Sequence, residues 1–267
     1  MNLVESRITI IITYALLGIA AFTALFPIAL MLLNSLKTTP EIALSPLGMP
    51  EVPYWNNYVN AWKGANFTRT FFNSGVLMFM TIALVLSTGS LTAYVLARKK
   101  IKSWKIVTVY LLATTTAPIQ LFLFPLYFGF AKLGLINNIF AVSIVYCAIF
   151  SPFSIMLLRT YFLAVPKELE EAALVDGATS WQVFSKVYLP LVWPGLLTVS
   201  LIVGLYTWNE FLIATTFLQG PESRTAVVSY FLLSGQYSRD WGDLMAGAML
   251  VSAPIVILFI FLQRRFI

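Results

Sequence analysis

The chain has 267 residues, of which 59% are hydrophobic and only 10% charged, and its mean hydropathy of +0.84 exceeds what a water-soluble domain needs for its core. It has no histidine and a single cysteine, Cys147, set in an apolar run, which excludes a disulfide framework and leaves no ordinary ligand set for a transition metal. The net charge of +6 does not point to nucleic acid, because the basic residues flank apolar runs, as topology signals do.

In chain order, the uncharged run from Ile8 to Leu36 is far longer than the apolar part of a signal peptide and lacks a small-residue cleavage site, so it is expected to stay as the first span. Between Lys37 and Arg69, Pro40, Pro46, Pro50 and Pro53 forbid a long helix and argue for an ordered cap. Tyr54, Tyr58 and Trp62 recur there at helical spacing and read as an interfacial helix anchored by its aromatic belt. Five further uncharged runs follow. With the first, the expected spans are about 8–36, 70–97, 106–131, 133–158, 187–209 and 244–263, each reaching the ~20 residues a bilayer requires.

This pattern predicts an all-α, polytopic membrane protein with six transmembrane helices in a single domain over residues 1–267. Arg98, Lys99, Lys100, Lys102 and Lys105 crowd the second connection, whereas the third has only Lys132. Lysine and arginine are retained on the cytoplasmic face, so both termini and the segment from Arg159 to Lys186 are expected inside. Pro27, Pro118, Pro125, Pro152 and Pro254 lie within the spans and are expected to kink them. Asn73, Thr115, Gln120, Thr207 and Asn209 are candidates for the wall of a substrate pathway, although for each alone an interhelical hydrogen bond is the simpler reading. The outer segment from about Leu212 to Asp243 holds Gly220, Pro221 and Glu222 and is long enough to touch a partner outside the membrane.

One cytoplasmic loop, residues 163–190, carries carboxylates in an otherwise apolar chain. Pro166-Lys167-Glu168-Leu169-Glu170 opens a helix well, since proline suits the first position and acids meet the positive end of the dipole. Gly177 stops that helix. Thr179 with Gln182 fits a capping box, which predicts a second short helix running to a break at Leu189-Pro190.

The spans hold no charge, unlike those of many ion-coupled carriers, and the chain has no Gly-Lys dipeptide and therefore no Walker A loop. Paired carboxylates or metal ligands suited to intramembrane catalysis are missing too, so no catalytic or metal residues are assigned. Energy for active transport would have to come from another polypeptide. The alternative is a self-sufficient secondary carrier or channel for a small polar solute.

Glu171-Ala172-Ala173, Gly177 after three more residues, and Val187-Tyr188-Leu189-Pro190 after another nine resemble the EAA loop of ABC-importer permeases, with valine where isoleucine is more usual. The similarity extends along the chain through Asn57-Tyr58 with Ala61-Trp62, Asn73-Ser74, Ala93-Tyr94-Val95-Leu96-Ala97-Arg98, Pro125-Leu126-Tyr127 with Leu133-Gly134-Leu135, Pro152-Phe153, Trp208-Asn209-Glu210-Phe211 and Gln263-Arg264-Arg265-Phe266. Together these resemble the smaller, maltose-type subunit of binding-protein-dependent sugar permeases.

The resemblance implies a type I importer permease fold in the cytoplasmic (inner) membrane, crossed several times and contacting membrane lipid. It implies a non-catalytic subunit that moves a carbohydrate or related solute beside a second homologous permease, two ATPase subunits and an extracellular or periplasmic solute-binding protein. No cofactor is expected on this chain, ATP and Mg²⁺ being held by the ATPases. Coupling to them is implied for Glu168, Glu171, Ala172, Ala173, Asp176, Gly177, Leu189 and Pro190, with Glu171 as the salt-bridge partner and Gly177 permitting the bend. Gly220, Pro221 and Glu222 become candidates for contact with the binding protein.

Overall fold

The computed structural model describes residues 7–235 and 240–262. Regular structure among them is helical throughout, as a hydrocarbon setting requires of any segment that must satisfy its own backbone. The Gln263-Arg264-Arg265-Phe266 motif falls outside the described residues. The chain divides into two compact units, residues 1–68 with 229–267, and residues 69–228.

The first unit opens with α1 (Arg7–Asn34), α2 (Thr39–Leu44) and α3 (Asn56–Gly64). Helix α4 (Phe67–Ala97) leads into the second, which continues through α5 (Trp104–Thr114), α6 (Leu123–Lys132), α7 (Ile139–Ala164) and α8 (Lys167–Val175). It goes on with α9 (Ser180–Leu191), α10 (Trp193–Asn209) and α11 (Leu212–Phe217). Helix α12 (Ala226–Gly235) returns to the first unit, which closes with α13 (Trp241–Leu262). Helices α1, α4, α7 and α13 are each long and apolar enough to cross a bilayer, and two bent pairs bring the number to six if each pair is one span.

The bends have local causes. Thr114 and Ile119 are separated by a turn ending at extended Pro118, so α5 and the Ile119–Lys132 segment meet at 90°. Proline by itself does not break a membrane helix: α1, α7 and α13 run on through Pro27, Pro152 and Pro254. The fourth apolar run behaves differently from its sequence reading. Gly134 and Asn137 both have positive φ, and Asn138 then caps α7 by accepting the Ala141 N–H at 3.0 Å, so the helix starts at Ile139 rather than Leu133. At the other end it continues past Leu158 and Arg159 to Ala164, because a charge by itself does not stop a helix, whereas extended Val165 before Pro166 does.

In the first unit α1 exposes Ile11, Leu16, Ile19 and Phe22, as a helix surrounded by hydrocarbon would. Just after it the chain ties itself down. The fully buried Lys37 ammonium donates to Asn34 Oδ1 (3.1 Å) and the Ser45 carbonyl (2.8 Å), and Asn57 Nδ2 donates to the carbonyls of Ser35 and Lys37. Gly242 of α13 is pressed onto the same place; a Cβ there would come within 3 Å of the Asn57 side chain and the Lys37 carbonyl. The aromatic trio is split, since Tyr54 precedes α3 and only Tyr58 and Trp62 lie on it.

In the second unit α4, α7 and α10 pack through Val85, Ile155, Leu158, Phe162, Val199 and Val203. Gly195 lets α10 lie against the Tyr161 ring, which a Cβ would approach to 2.5 Å. This core ends in Tyr94, Phe184 and Tyr188, and the charged loop is built on those rings.

Candidate functional site

Helix α8 starts where extended Pro166 ends the preceding segment, with Glu168 and Glu170 in its first turn. It stops in a Schellman motif: the Ala178 N–H reaches the Ala173 carbonyl (2.9 Å), the Gly177 N–H reaches that of Leu174 (3.1 Å), and Gly177 takes φ +82°. Only glycine adopts that angle without strain, so the expected bend is present. Thr179 and Gln182 then form the reciprocal capping box that opens α9.

The second short helix differs from expectation, because α9 passes through Leu189-Pro190 and the break comes at Val192. A π-helical turn over Val183–Tyr188 accounts for this. The ladder has already shifted register, with Leu189 N–H on the Phe184 carbonyl, before it meets a residue that has no N–H to give. The wide turn also aims Val183, Phe184 and Tyr188 inward.

The two faces of α8 have opposite chemistry. Glu168, Glu171, Ala172, Asp176 and Gly177 are exposed, as are Leu174, Val175 (87%) and, on α9, Trp181 (62%). Ala173 and Leu189 are half-buried and Pro190 is exposed. Glu170 alone among the helix's carboxylates is buried. Its Oε1 accepts from Lys100 Nζ at 2.5 Å, its Oε2 accepts from the Tyr188 hydroxyl at 2.9 Å, and Arg98 Nε lies 3.4 Å from Oε2 as an ion pair without hydrogen-bond geometry.

Arg98, whose side chain is 4% exposed, also stacks over the Tyr188 ring at 4.6 Å and donates from Nη2 to the Val165 carbonyl at 2.8 Å. Burial alone would raise the Glu170 carboxyl. Hydrogen bonds from Lys100 and Tyr188, with the charges of Lys100 and Arg98, outweigh that and hold it below the ordinary carboxylate value. The hydrogen bond to Glu170 raises the Lys100 ammonium above its ordinary value, against the opposing effect of burial. The end of α4 is thereby locked to the inner side of α8, leaving the outer side free to meet another surface.

The outer candidates form a second tie. Asn137 Oδ1 accepts from Gly220 N–H (2.7 Å) and the Ser223 hydroxyl (3.0 Å), while Asn73 Nδ2 donates to the carbonyls of Glu222 (2.9 Å) and Arg224 (3.0 Å). Ser74 accepts the Ala226 N–H at 2.9 Å, and Arg69 pairs with Glu222 at 3.5 Å on the surface. The Gly220-Pro221-Glu222 turn is thus held to the start of α4, with Pro221 and Glu222 exposed.

Of the pathway candidates, only Asn73 joins this tie, and it does so through backbone carbonyls. Thr115 and Asn209 are exposed, with their side chains bonded to the Leu112 and Leu205 carbonyls of their own helices. Gln120 is exposed on a 3₁₀ turn, Ile119–Phe122, and Thr207 is buried with its hydroxyl unpartnered.

Sequence reasoning read Arg98 and Lys100 as topology signals and Glu170 as a first-turn acid, missing that they belong together. The available signal was Arg98 at the end of an apolar run, which needs a counterion if it is buried. Glu210 was likewise read only as part of a motif. Its carboxylate caps α11 through the Ile213 and Ala214 N–H groups (2.9 Å each) and accepts from the Tyr146 hydroxyl.

Residues 86–267 match the family described as binding-protein-dependent transport system inner membrane component. Over 256 residues the chain is 33% identical to the diacetylchitobiose uptake system permease protein NgcG of Streptomyces coelicolor, covering 95% of this chain and 85% of that protein. It is 34% identical over 242 residues to a probable ABC transporter permease protein, YurM, of Bacillus subtilis (91% and 80% covered). With the arabinooligosaccharides transport system permease protein AraQ of Halalkalibacterium halodurans the figure is 31% over 251 residues (92% and 89%). A crystal structure of a bacterial ABC transporter involved in the import of the acidic polysaccharide alginate superposes with a TM-score of 0.82 at 23% identity, over 100% of this chain and 99% of that one, which shows a shared type I permease fold. The chain therefore belongs to the binding-protein-dependent inner membrane components, and it is a non-catalytic, multi-pass permease subunit of an ABC importer, a class that works with ATPase and solute-binding partners.

Proposed function

We propose that this permease carries a carbohydrate or related solute into the cytoplasm and is driven through α8. The observation that carries the driving role is the outer face of α8 and α9, where exposed Leu174, Val175 and Trp181 stand beside Glu168, Glu171 and Asp176. Apolar side chains exposed on a charged projection mark a surface that another protein covers. In this reading Glu171 pairs with a basic residue of the ATPase, Ala172 and Ala173 allow close approach, Gly177 sets the bend, and Leu189-Pro190 carries the motion into α10. ATP and Mg²⁺ are bound by the ATPases and not by this chain.

The carbohydrate cargo is supported by the relatives named for diacetylchitobiose and arabinooligosaccharides. The assembly proposed has a second homologous permease, two ATPase subunits and a periplasmic or extracellular binding protein, in the cytoplasmic membrane with both termini and α8 inside. Thr115, Gln120, Thr207 and Asn209, with Asn73 behind them, are assigned to the pathway that the second permease completes. Exposed Pro221 and Glu222, beside Gly220, are assigned to the binding-protein contact.

The test replaces Glu171 with lysine and, separately, Gly177 with leucine, then measures ATPase co-purification and uptake of an oligosaccharide presented by the binding protein. Loss of an interfacial charge pair predicts that Glu171→Lys weakens ATPase retention by roughly tenfold or more. Full retention and full uptake in both variants would sink the coupling role.

A further inference from the structure

We propose that Lys99, Lys105 and Arg159, gathered around the Trp104 indole, bind the phosphate of an anionic phospholipid whose acyl chains lie along the exposed Ile106, Val109 and Tyr110 side of α5. Lys99 Nζ lies 5.0 Å from the ring centroid, Lys105 Nζ 5.7 Å and the Arg159 guanidinium carbon 5.9 Å. Three cations from α5, α7 and the turn after α4 thus converge on one ring. An indole face attracts a cation weakly, and three around one ring repel each other.

No carboxylate within 4 Å answers any of the three among the described residues, whereas Glu170 takes up the neighbouring Arg98 and Lys100. Arg159 Nε is buried without a hydrogen-bond partner. The guanidinium as a whole is only partly buried, and a guanidinium left without a carboxylate is matched best by phosphate oxygens, which its fork of N–H groups binds.

Backbone conformation supplies a second, independent sign. The ends of α6 and α8 close with the same Schellman hydrogen bonds and put glycine at the left-handed position, Gly134 and Gly177, while the end of α3 puts Asn66 there at φ +48°. The end of α4 makes the same bonds, Lys100 N–H to the Val95 carbonyl and Lys99 N–H to that of Leu96, but puts Lys99 there at φ +52°. A lysine held where glycine fits better is a strained residue kept for its side chain.

The surroundings select a lipid over a free ion. Helix α4 ends at Ala97, α5 begins at Trp104 and α7 ends at Ala164, so the cations sit at the boundary of three apolar segments, the level tryptophan prefers. Directly along α5 from them, Ile106, Val109 and Tyr110 are exposed at helical spacing. A charged cluster above an apolar strip matches a headgroup above its chains.

The assembled importer is reconstituted in phosphatidylcholine nanodiscs carrying a minority of brominated phosphatidylglycerol or, separately, brominated phosphatidylcholine. The difference from a Trp104→Phe variant isolates one tryptophan's emission among the seven. The brominated anionic lipid is expected to quench Trp104 at a roughly tenfold lower lipid fraction than the zwitterionic one. The double variant Lys99→Ala/Lys105→Ala, at two exposed positions, is expected to abolish that preference while Trp104 still emits. Equal quenching by the two lipids overturns the proposal, as does a preference that survives in the double variant. Trp104 emission that responds to inorganic phosphate in pure phosphatidylcholine while showing no preference between the brominated lipids assigns the cluster to a free anion and overturns the lipid reading.

Discussion

Residues 69–228 hold two carboxylates in two different ways. Glu170 is answered by charge, with Lys100 and Arg98 around it and the Tyr188 hydroxyl completing the set. Glu210 is answered by dipoles, the N–H groups of Ile213 and Ala214 and the Tyr146 hydroxyl. The first tie joins segments more than sixty residues apart and fixes the direction of α8. The second is mostly local and closes the turn from α10 into α11. A tie made of charge can hold distant segments through one short side chain, but it buries ions that are costly once unpaired, whereas a capping tie costs little when loosened.

Exchanging each carboxylate for its isosteric amide separates the two most sharply. Glu170→Gln leaves Arg98 buried without a counter-charge, and breaking a buried pair in this way costs about 3–5 kcal/mol. Glu210→Gln keeps one acceptor oxygen for the α11 cap and loses only part of the tie, about 1–2 kcal/mol. Thermal unfolding of the two variants in nanodiscs, followed by tryptophan fluorescence, measures the difference. Equal losses would break the comparison.

A smaller effect is expected from pH, and its sign follows from the shifts. The Glu170 carboxyl is lowered in the folded protein, so its contribution is present above the unfolded value of about 4.3 and is lost as pH falls through the folded one. The Lys100 ammonium is raised, so its contribution is full below about 10.4 and is lost only as pH rises beyond that. Between these limits the tie is intact. Melting temperature should therefore hold across neutral pH and drop on acidification below about pH 4, and that drop should shrink in Glu170→Gln. An acid transition unchanged in the variant would assign it to another group.

The same contrast explains what was legible in the sequence. The outer face of α8 was, because Glu171, Ala172, Ala173 and Gly177 keep a fixed spacing within one helix and its cap, and local chemistry sets both. The capping box at Thr179 was legible for the same reason. The inner face was not. Glu170 adjoins Glu171 in sequence and is its equal in composition, and only the packing of α4, α8 and α9 decides which of the two is buried. The start of α7 was misread because the run from Leu133 was drawn by absence of charge, which passes over Gly134 and Asn137-Asn138, the residues that set the turn and cap the helix. The passage of α9 through Pro190 was hidden because a π turn leaves no trace in residue type.

The smallest effect tests the one charged residue that neither tie employs at the end of α4. Lys99 occupies a left-handed position that glycine fills at the ends of α6 and α8, so Lys99→Gly should relieve strain. Against that gain stands glycine's larger conformational freedom in the unfolded chain, and the net expectation is a stabilisation of about 0.5 kcal/mol, near 1 °C or so in melting temperature. If Lys99 served only to end the helix, the substitution would be stabilising and otherwise silent. With the ammonium held 5.0 Å from the Trp104 ring, it should instead raise stability slightly while weakening the anionic-lipid preference at Trp104. Opposite signs in the two measurements would separate a residue kept for its charge from one kept for its backbone. A fall in melting temperature would show that the Lys99 side chain contributes more to the fold than its backbone strain costs.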